Sequence, residues 1–120
     1  MSRKTAVVLI DFLNEFVHLD GKLAKNGYSD YVMKYGVKRA VERVLAQARS
    51  SGDLVIHVRA GFSDNYVECP EDSPLFAGAK KYGALNLGGW GCEFVDFCRA
   101  GIRRGHRDEK PGEPFLWDQS

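Results

Sequence analysis

At 120 residues, one domain is the natural count. The 44% hydrophobic and 28% charged residues and the net charge of +1 describe an ordinary globular protein. They give no electrostatic support for binding nucleic acid or a membrane surface, so neither is expected as a partner. The longest apolar run, Ala6–Ile10, falls far short of the ~20 residues that a membrane helix needs. Met1-Ser2-Arg3-Lys4-Thr5 leads straight into that run, so no secretory leader is expected. Cys69, Cys92 and Cys98 form no CxxC spacing and read as reduced thiols in a cytoplasmic protein.

In chain order, Ala6-Val7-Val8-Leu9-Ile10 is a continuous apolar run rich in β-branched residues. It predicts a strand buried on both faces, as in a parallel sheet. Residues 13–31 read as irregular, with Gly21 and Gly27 among them. Val37, Ala40, Val41, Val44, Leu45 and Ala48 then recur at helical spacing, with Lys38, Arg39, Glu42, Arg43 and Arg49 on the other side. A helix over 37–51 follows, and Gly52 is well placed to stop it. Leu54-Val55-Ile56-His57-Val58 predicts a second strand, and strand, helix, strand in this order is a parallel βαβ unit. Residues 60–91, punctuated by Pro70, Pro74 and recurrent glycines, read as loop. A short helix is expected over 92–99, with Phe94, Val95, Cys98 and Ile102 on one side and Gly101 as its terminator. After Gly105 the chain turns polar and loses all periodicity.

Asp11 is the sharpest chemical position. It ends the first strand at the carboxyl edge, where open α/β sheets place their ligands. An aspartate there also reads as a turn or helix cap. A phospho-acceptor role is a further option, although Leu13 stands where such sites usually carry a second acid.

The run Thr5-Ala6-Val7-Val8-Leu9-Ile10-Asp11-Phe12-Leu13-Asn14-Glu15-Phe16 resembles the opening of isochorismatase-like cysteine hydrolases. His18-Leu19-Asp20-Gly21-Lys22-Leu23-Ala24 is similar to the segment that follows in many members. Val58-Arg59-Ala60-Gly61-Phe62-Ser63 and Gly88-Gly89-Trp90-Gly91-Cys92-Glu93-Phe94 look like later loops of that family. The resemblance spans residues 5–105, with 106–120 as a polar tail. It implies an α/β fold with a Rossmann-like parallel sheet flanked by helices, here lacking the C-terminal strands. Without those strands the Ala6–Ile10 edge is left unpaired, and an apolar edge invites self-association, so a homo-oligomer is expected.

The family chemistry is C–N bond hydrolysis on small amide-like substrates by an aspartate, a lysine and a cysteine. The cysteine thiolate attacks, the aspartate takes the thiol proton and the lysine stabilises the charges. By the resemblance, Asp11 is the general base, Asn14 and Phe16 lie near the pocket, and Lys110 stands where the catalytic lysine belongs. Trp90 is placed as a pocket wall, with a core tryptophan as the alternative. No cofactor is expected. No metal is expected either, because the segment beside the second strand reads Arg59-Ala60-Gly61-Phe62-Ser63-Asp64 and lacks the Asp-x-His of metal-binding members. His57 reads as a core or edge histidine. The family nucleophile follows the lysine, at the start of a later helix, and none of the three cysteines is there. Cys92 and Cys98 read as small apolar packing residues, and Cys69 as a surface thiol in a loop. The expected state is therefore a hydrolase by ancestry that is inactive as this chain. The alternatives are a non-catalytic, self-associating binding module and one half of a split hydrolase.

The tail carries its own signal. The family continues with an apolar strand, a lysine and a Ser-x-Phe-x-Gly-Thr pattern. A reading one base out of register across residues 106–119, with permitted codon choices, encodes Ile-Val-Met-Lys-Ser-Pro-Ala-Ser-Pro-Phe-Tyr-Gly-Thr. Its glycine is forced by the codons of Trp117 and Asp118. A frameshift after Gly105 is the expected origin of the tail, and Lys110 is then a neighbour of the lost lysine. In-frame divergence, with Lys110 as the family lysine, is the rival. Sequencing the gene is expected to show the Lys-Ser-x-x-Ser-x-Phe string in the shifted frame. A shifted frame without it removes this explanation.

Overall fold

The computed structural model describes residues 4–74 and 76–99 and the backbone of 115–118. Strand β1 (Ala6–Ile10) leads through the short helices α1 (Asn14–Val17) and α2 (Tyr28–Lys34) to α3 (Val37–Ser50) and strand β2 (Leu54–Val58). Helices α4 (Ala77–Tyr82) and α5 (Asp96–Arg99) and strand β3 (Phe115–Asp118) follow. β1 and β2 pair in parallel, from Ala6 opposite Leu54 to Ile10 opposite Val58. The crossover between them contains α3, as a parallel connection requires. The chain is therefore a small α/β protein. No helix among the described residues is long and apolar enough to cross a membrane.

The helix α3 stops for a local reason. Gly52 adopts φ +70°, and its N–H donates to the Arg49 carbonyl at 3.2 Å while that of Asp53 donates to the Ala48 carbonyl at 2.8 Å. This pair of bonds satisfies the last helical carbonyls, and the left-handed residue costs glycine little. The buried stripe of α3 is narrower than the spacing predicts. Val41, Leu45 and Ala48 are buried, whereas Val44 is 46% exposed. They pack with Leu9 and Val55 of the sheet and with Val95 and Cys98 near α5.

Several expectations need correction. The strand expected to be buried on both faces is buried on one. Leu9 and Val55 face α3, but Val8, Ile10 and Leu54 on the opposite face are 47%, 61% and 48% exposed. One crossover helix covers one face of a sheet, and it leaves the other bare. Residues 13–31 contain α1, a 3-10 turn at Ala24–Asn26 and most of α2, elements too short to produce a readable helical period. Residues 60–91 contain α4. The helix expected over 92–99 shrinks to the single turn of α5, preceded by a 3-10 turn at Trp90–Cys92. Gly101 and Ile102 lie outside the described residues. The polar tail contributes β3, which runs antiparallel on the free side of β2, Val58 opposite Phe115 through Val55 opposite Asp118. Four residues are too few to announce a strand by alternation. His57 is fully buried, its ring 5.2 Å from that of Phe94.

A second core forms below the carboxyl ends of the strands. It gathers Leu13, Phe62, Tyr66, Leu85 and Phe94. Backbone bonds hold its loops together: Phe62 N–H to Leu85 O at 2.7 Å, Leu87 N–H to Phe62 O at 2.9 Å and Asn14 N–H to Glu93 O at 3.0 Å.

Leu45 carries much of the first core at 2% exposure. Leu45→Ala is expected to cost about 2–5 kcal/mol of stability in urea unfolding. Val44→Ala, on the exposed side of the same helix, should stay within about 0.5 kcal/mol.

Candidate functional site

The chain leaves β1 through a residue in an uncommon conformation. Asp11 has φ +63°, and its N–H donates to Val58 O at 2.9 Å, extending the parallel ladder one step past the strand. Aspartate tolerates the left-handed region better than most residues. The turn carries the chain out of the sheet and leaves Asp11 lining a cleft of about 380 Å³.

The cleft is mostly apolar. Phe16, Leu23, Tyr28, Tyr31, Phe76 and Leu85 form most of its wall, Ile10 and Ala60 adjoin the sheet, and Asn26 adds an amide. Phe16 and Tyr28 meet edge to face with ring centres 5.5 Å apart. Burial in this setting raises the Asp11 carboxyl above its ordinary value of 3.8, because a low-dielectric surround penalises the charged form. No lysine or arginine is among the described lining residues to oppose that shift. A partly buried carboxyl in a cleft of apolar walls is suited to taking a proton.

Glu15 holds the wall in place, a role its sequence position did not reveal. Its side chain is buried at 4% exposure. One carboxylate oxygen accepts the Lys22 N–H at 2.6 Å and the other accepts the Leu85 N–H at 3.0 Å. Leu85 is itself strained, at φ +55°, so the carboxylate fixes an unfavourable turn that lines the cleft. Gly91 lies against the same group: a Cβ there would collide with the Glu15 carboxylate. Gly91 is 76 residues from Glu15 in the sequence, so the contact is visible only in the fold.

The expected site residues separate in space. Asp11 and Phe16 share the cleft. Asn14 is buried at the start of α1, where its Nδ2 donates to the Trp90 carbonyl at 3.0 Å, so it ties the helix to the Trp90 turn. Trp90 is 45% exposed and packs edge-on against His18 with ring centres 4.8 Å apart. It borders a smaller depression with Glu15, Lys22 and Asn86 and does not line the Asp11 cleft. Lys110 lies outside the described residues.

None of the three cysteines lines the cleft, and all are buried. Cys69, expected as a surface thiol, is 7% exposed and donates its S–H to Phe76 O at 3.4 Å. The loop around it folds back on α4 and covers it. Cys92 sits behind Ala60, whose carbonyl its thiol meets at 3.4 Å. Burial pushes the Cys92 thiol up to about 11; Arg59 pulls it down in part, while Glu15 and Asp11 push it further up. Burial also pushes Cys98 up to about 12. Each is a protonated packing thiol at neutral pH. Among the described residues no group of three or more His, Cys, Asp and Glu side chains converges as a metal site.

No family model matches this chain, and no curated protein matches its sequence.

The raised Asp11 pKa sets the sign of a pH effect. Folding favours the protonated carboxyl, so its contribution to stability is full below the ordinary value and is lost as pH rises through the raised one. Asp11→Asn keeps a side chain that tolerates φ +63° and removes the charge. Its melting temperature relative to the parent is expected to rise from pH 3 to pH 7. A difference that stays flat with pH would mean that the carboxyl is fully solvated.

Proposed function

We propose that the Asp11 cleft is the small-molecule site of a chain related to the isochorismatase-like cysteine hydrolases, and that this chain binds without turning over. The observation that carries the reading is the placement of Asp11. It combines the carboxyl end of a parallel strand, a left-handed turn and an apolar cleft that raises the carboxyl pKa. That is the position of the proton acceptor in the chemistry which the sequence resemblance implies.

The walls point to the ligand class. A cleft of about 380 Å³ holds a molecule of modest size. Aromatic and aliphatic walls favour a flat or apolar body, and the carboxyl and the Asn26 amide offer hydrogen bonds to one polar end. With no cation among the described lining residues, an anionic ligand is disfavoured and a neutral amide fits. The same absence weighs against a phospho-acceptor role, which needs positive charge around the transferred group.

Absence of turnover follows from the thiols. Attack requires a thiolate facing the substrate. Cys92, the thiol whose titration senses Asp11, is fully buried and held near 11. At pH 7 such a thiol stays protonated. Losing one member of a nucleophile–base–cation unit costs several orders of magnitude in rate.

The full chain, titrated with nicotinamide and with small carbamoyl amides, is expected to show saturable shifts at Asp11, Phe16 and Tyr31 by NMR and no hydrolysis above background. Asp11→Asn should weaken binding at least about tenfold, the loss of a hydrogen bond to a charged group. Turnover that survives Cys69→Ser, Cys92→Ser and Cys98→Ser together would refute the cysteine scheme. A stable beryllofluoride adduct on Asp11 would establish the phospho-acceptor instead.

A further inference from the structure

The bare face of the sheet and the mouth of the cleft are one surface. Side chains on alternate positions of a strand share a face, and parallel partners in register lie side by side. Ala6, Val8 and Ile10 of β1 therefore share the open face with Leu54, Ile56 and Val58 of β2. Ile10, 61% exposed, also lines the Asp11 cleft. Across the cleft stand Tyr28 and Tyr31 of α2, and the Tyr31 ring meets that of Tyr35 with centres 4.5 Å apart. These three tyrosines, spaced by one and two helical turns, are 44%, 60% and 60% exposed.

We propose that this continuous face is covered by a second copy of the chain, which also caps the cleft of its partner. The area is right for it. At typical side-chain sizes, the exposed parts of Val8, Ile10, Leu54 and the three tyrosines amount to on the order of 600 Å² per copy. Two such faces together reach ~1,200 Å², the lower end of a stable interface. A patch of this size is at the top of what monomers leave in water. Its composition selects the occupant. The six sheet positions carry no charge, so a two-fold contact places no like charges opposite one another, and a charged partner would gain nothing from them. An isologous contact also uses the same patch on both chains, and each copy of this chain exposes it. Among the described residues β1 is the end strand in the order β1-β2-β3, and its outer edge lies beside the same face. Because Ile10 and Tyr31 belong both to the patch and to the cleft wall, covering the patch narrows the entrance to Asp11.

Sedimentation velocity of the full chain, from the micromolar to the submillimolar range, tests the proposal. The parent is expected to form a concentration-dependent dimer. Val8→Lys on the sheet and Tyr31→Ser on α2 should each raise the dissociation constant at least about tenfold, a change of about 1.4 kcal/mol. Val44→Lys, exposed on the helix that covers the opposite face, should leave it unchanged. Circular dichroism checks that each variant folds, and the two face variants lie on different elements, so one misfolding leaves the other informative. The second readout is a thiol probe. The native cysteines are buried, so Asn26→Cys, exposed on the cleft wall and outside the apolar patch, supplies the reactive thiol, and its labelling rate should fall as the dimer forms while that of Val44→Cys does not. A parent that stays monomeric throughout overturns the proposal, as does a dimer that both face variants leave intact. A dimer in which the Asn26→Cys thiol keeps its monomer reactivity overturns the capping of the cleft. None of these outcomes depends on what the cleft binds, so failure here is distinct from failure of the ligand reading.

Discussion

The parallel register of β1 against β2 is the constraint on which the rest of the molecule depends. Parallel strands cannot be joined by a tight turn, so the chain must cross over, and α3 makes that crossing. The crossing lays the helix on one face of the sheet, where Val41, Leu45 and Ala48 cover Leu9 and Val55. The same register places Ile10 opposite Val58 and lets the Asp11 N–H reach the Val58 carbonyl at 2.9 Å. The site carboxyl is thus fixed by the last rung of the ladder, and its backbone is the point at which the sheet ends and the cleft begins.

What surrounds Asp11 is built differently. The loops that wall the cleft have little regular structure, and buried polar groups hold them in place. Glu15 accepts N–H groups from Lys22 and Leu85, Asn14 reaches the Trp90 carbonyl, and the Tyr66 hydroxyl donates to Ala84 O at 2.7 Å. Leaving a buried N–H unpaired costs about 1–3 kcal/mol, so each contact penalises any alternative path of the loop. Tyr66 and Leu85, both at positive φ, sit at or beside these anchors. Strained turns persist only where the surroundings over-determine them. The cleft is therefore pre-shaped by hydrogen bonding, with the apolar cluster of Leu13, Phe62 and Phe94 filling the space behind it.

The sheet and crossover were legible in the sequence because their signal is periodic and long. Both strands run over the predicted residues, and α3 ends one residue short of the prediction. Asp11 was legible for the same reason: it terminates a clear strand. The helices α1, α2 and α4 were not, since four to seven residues hold at most two turns, and tertiary contacts rather than periodicity stabilise them; α5 was expected, but over 92–99 rather than Asp96–Arg99. The strand pattern could not reveal that only one face would be covered, because an apolar run is the same whether or not a second layer of helices is present. Glu15 escaped notice as a single acid in a short motif; only the fold brings Leu85 and Gly91 to it. The resemblance puts Asn14 and Trp90 near the pocket, and the structure joins them to each other rather than to Asp11.

Burial acts on the two kinds of titrating group with the same sign and opposite chemical consequence. Low dielectric disfavours charge, so it raises both acids and thiols. For Asp11 the rise moves a carboxyl toward the range in which it accepts and releases protons readily. For Cys92 it moves a thiol away from the thiolate that attack requires, and Asp11 itself adds to that rise. A cysteine serves as nucleophile where it is partly exposed and a cation, a helix N-terminus or a metal favours its thiolate. The Cys92 thiol has Arg59 pulling its pKa down, but burial outweighs that pull, and the side chain is sealed behind Ala60. The fold thus raises the carboxyl that lines the cleft and the buried Cys92 thiol behind it by the same physical cause. The binding cleft with one poised acid proposed for the described residues rests on this contrast between Asp11 and Cys92.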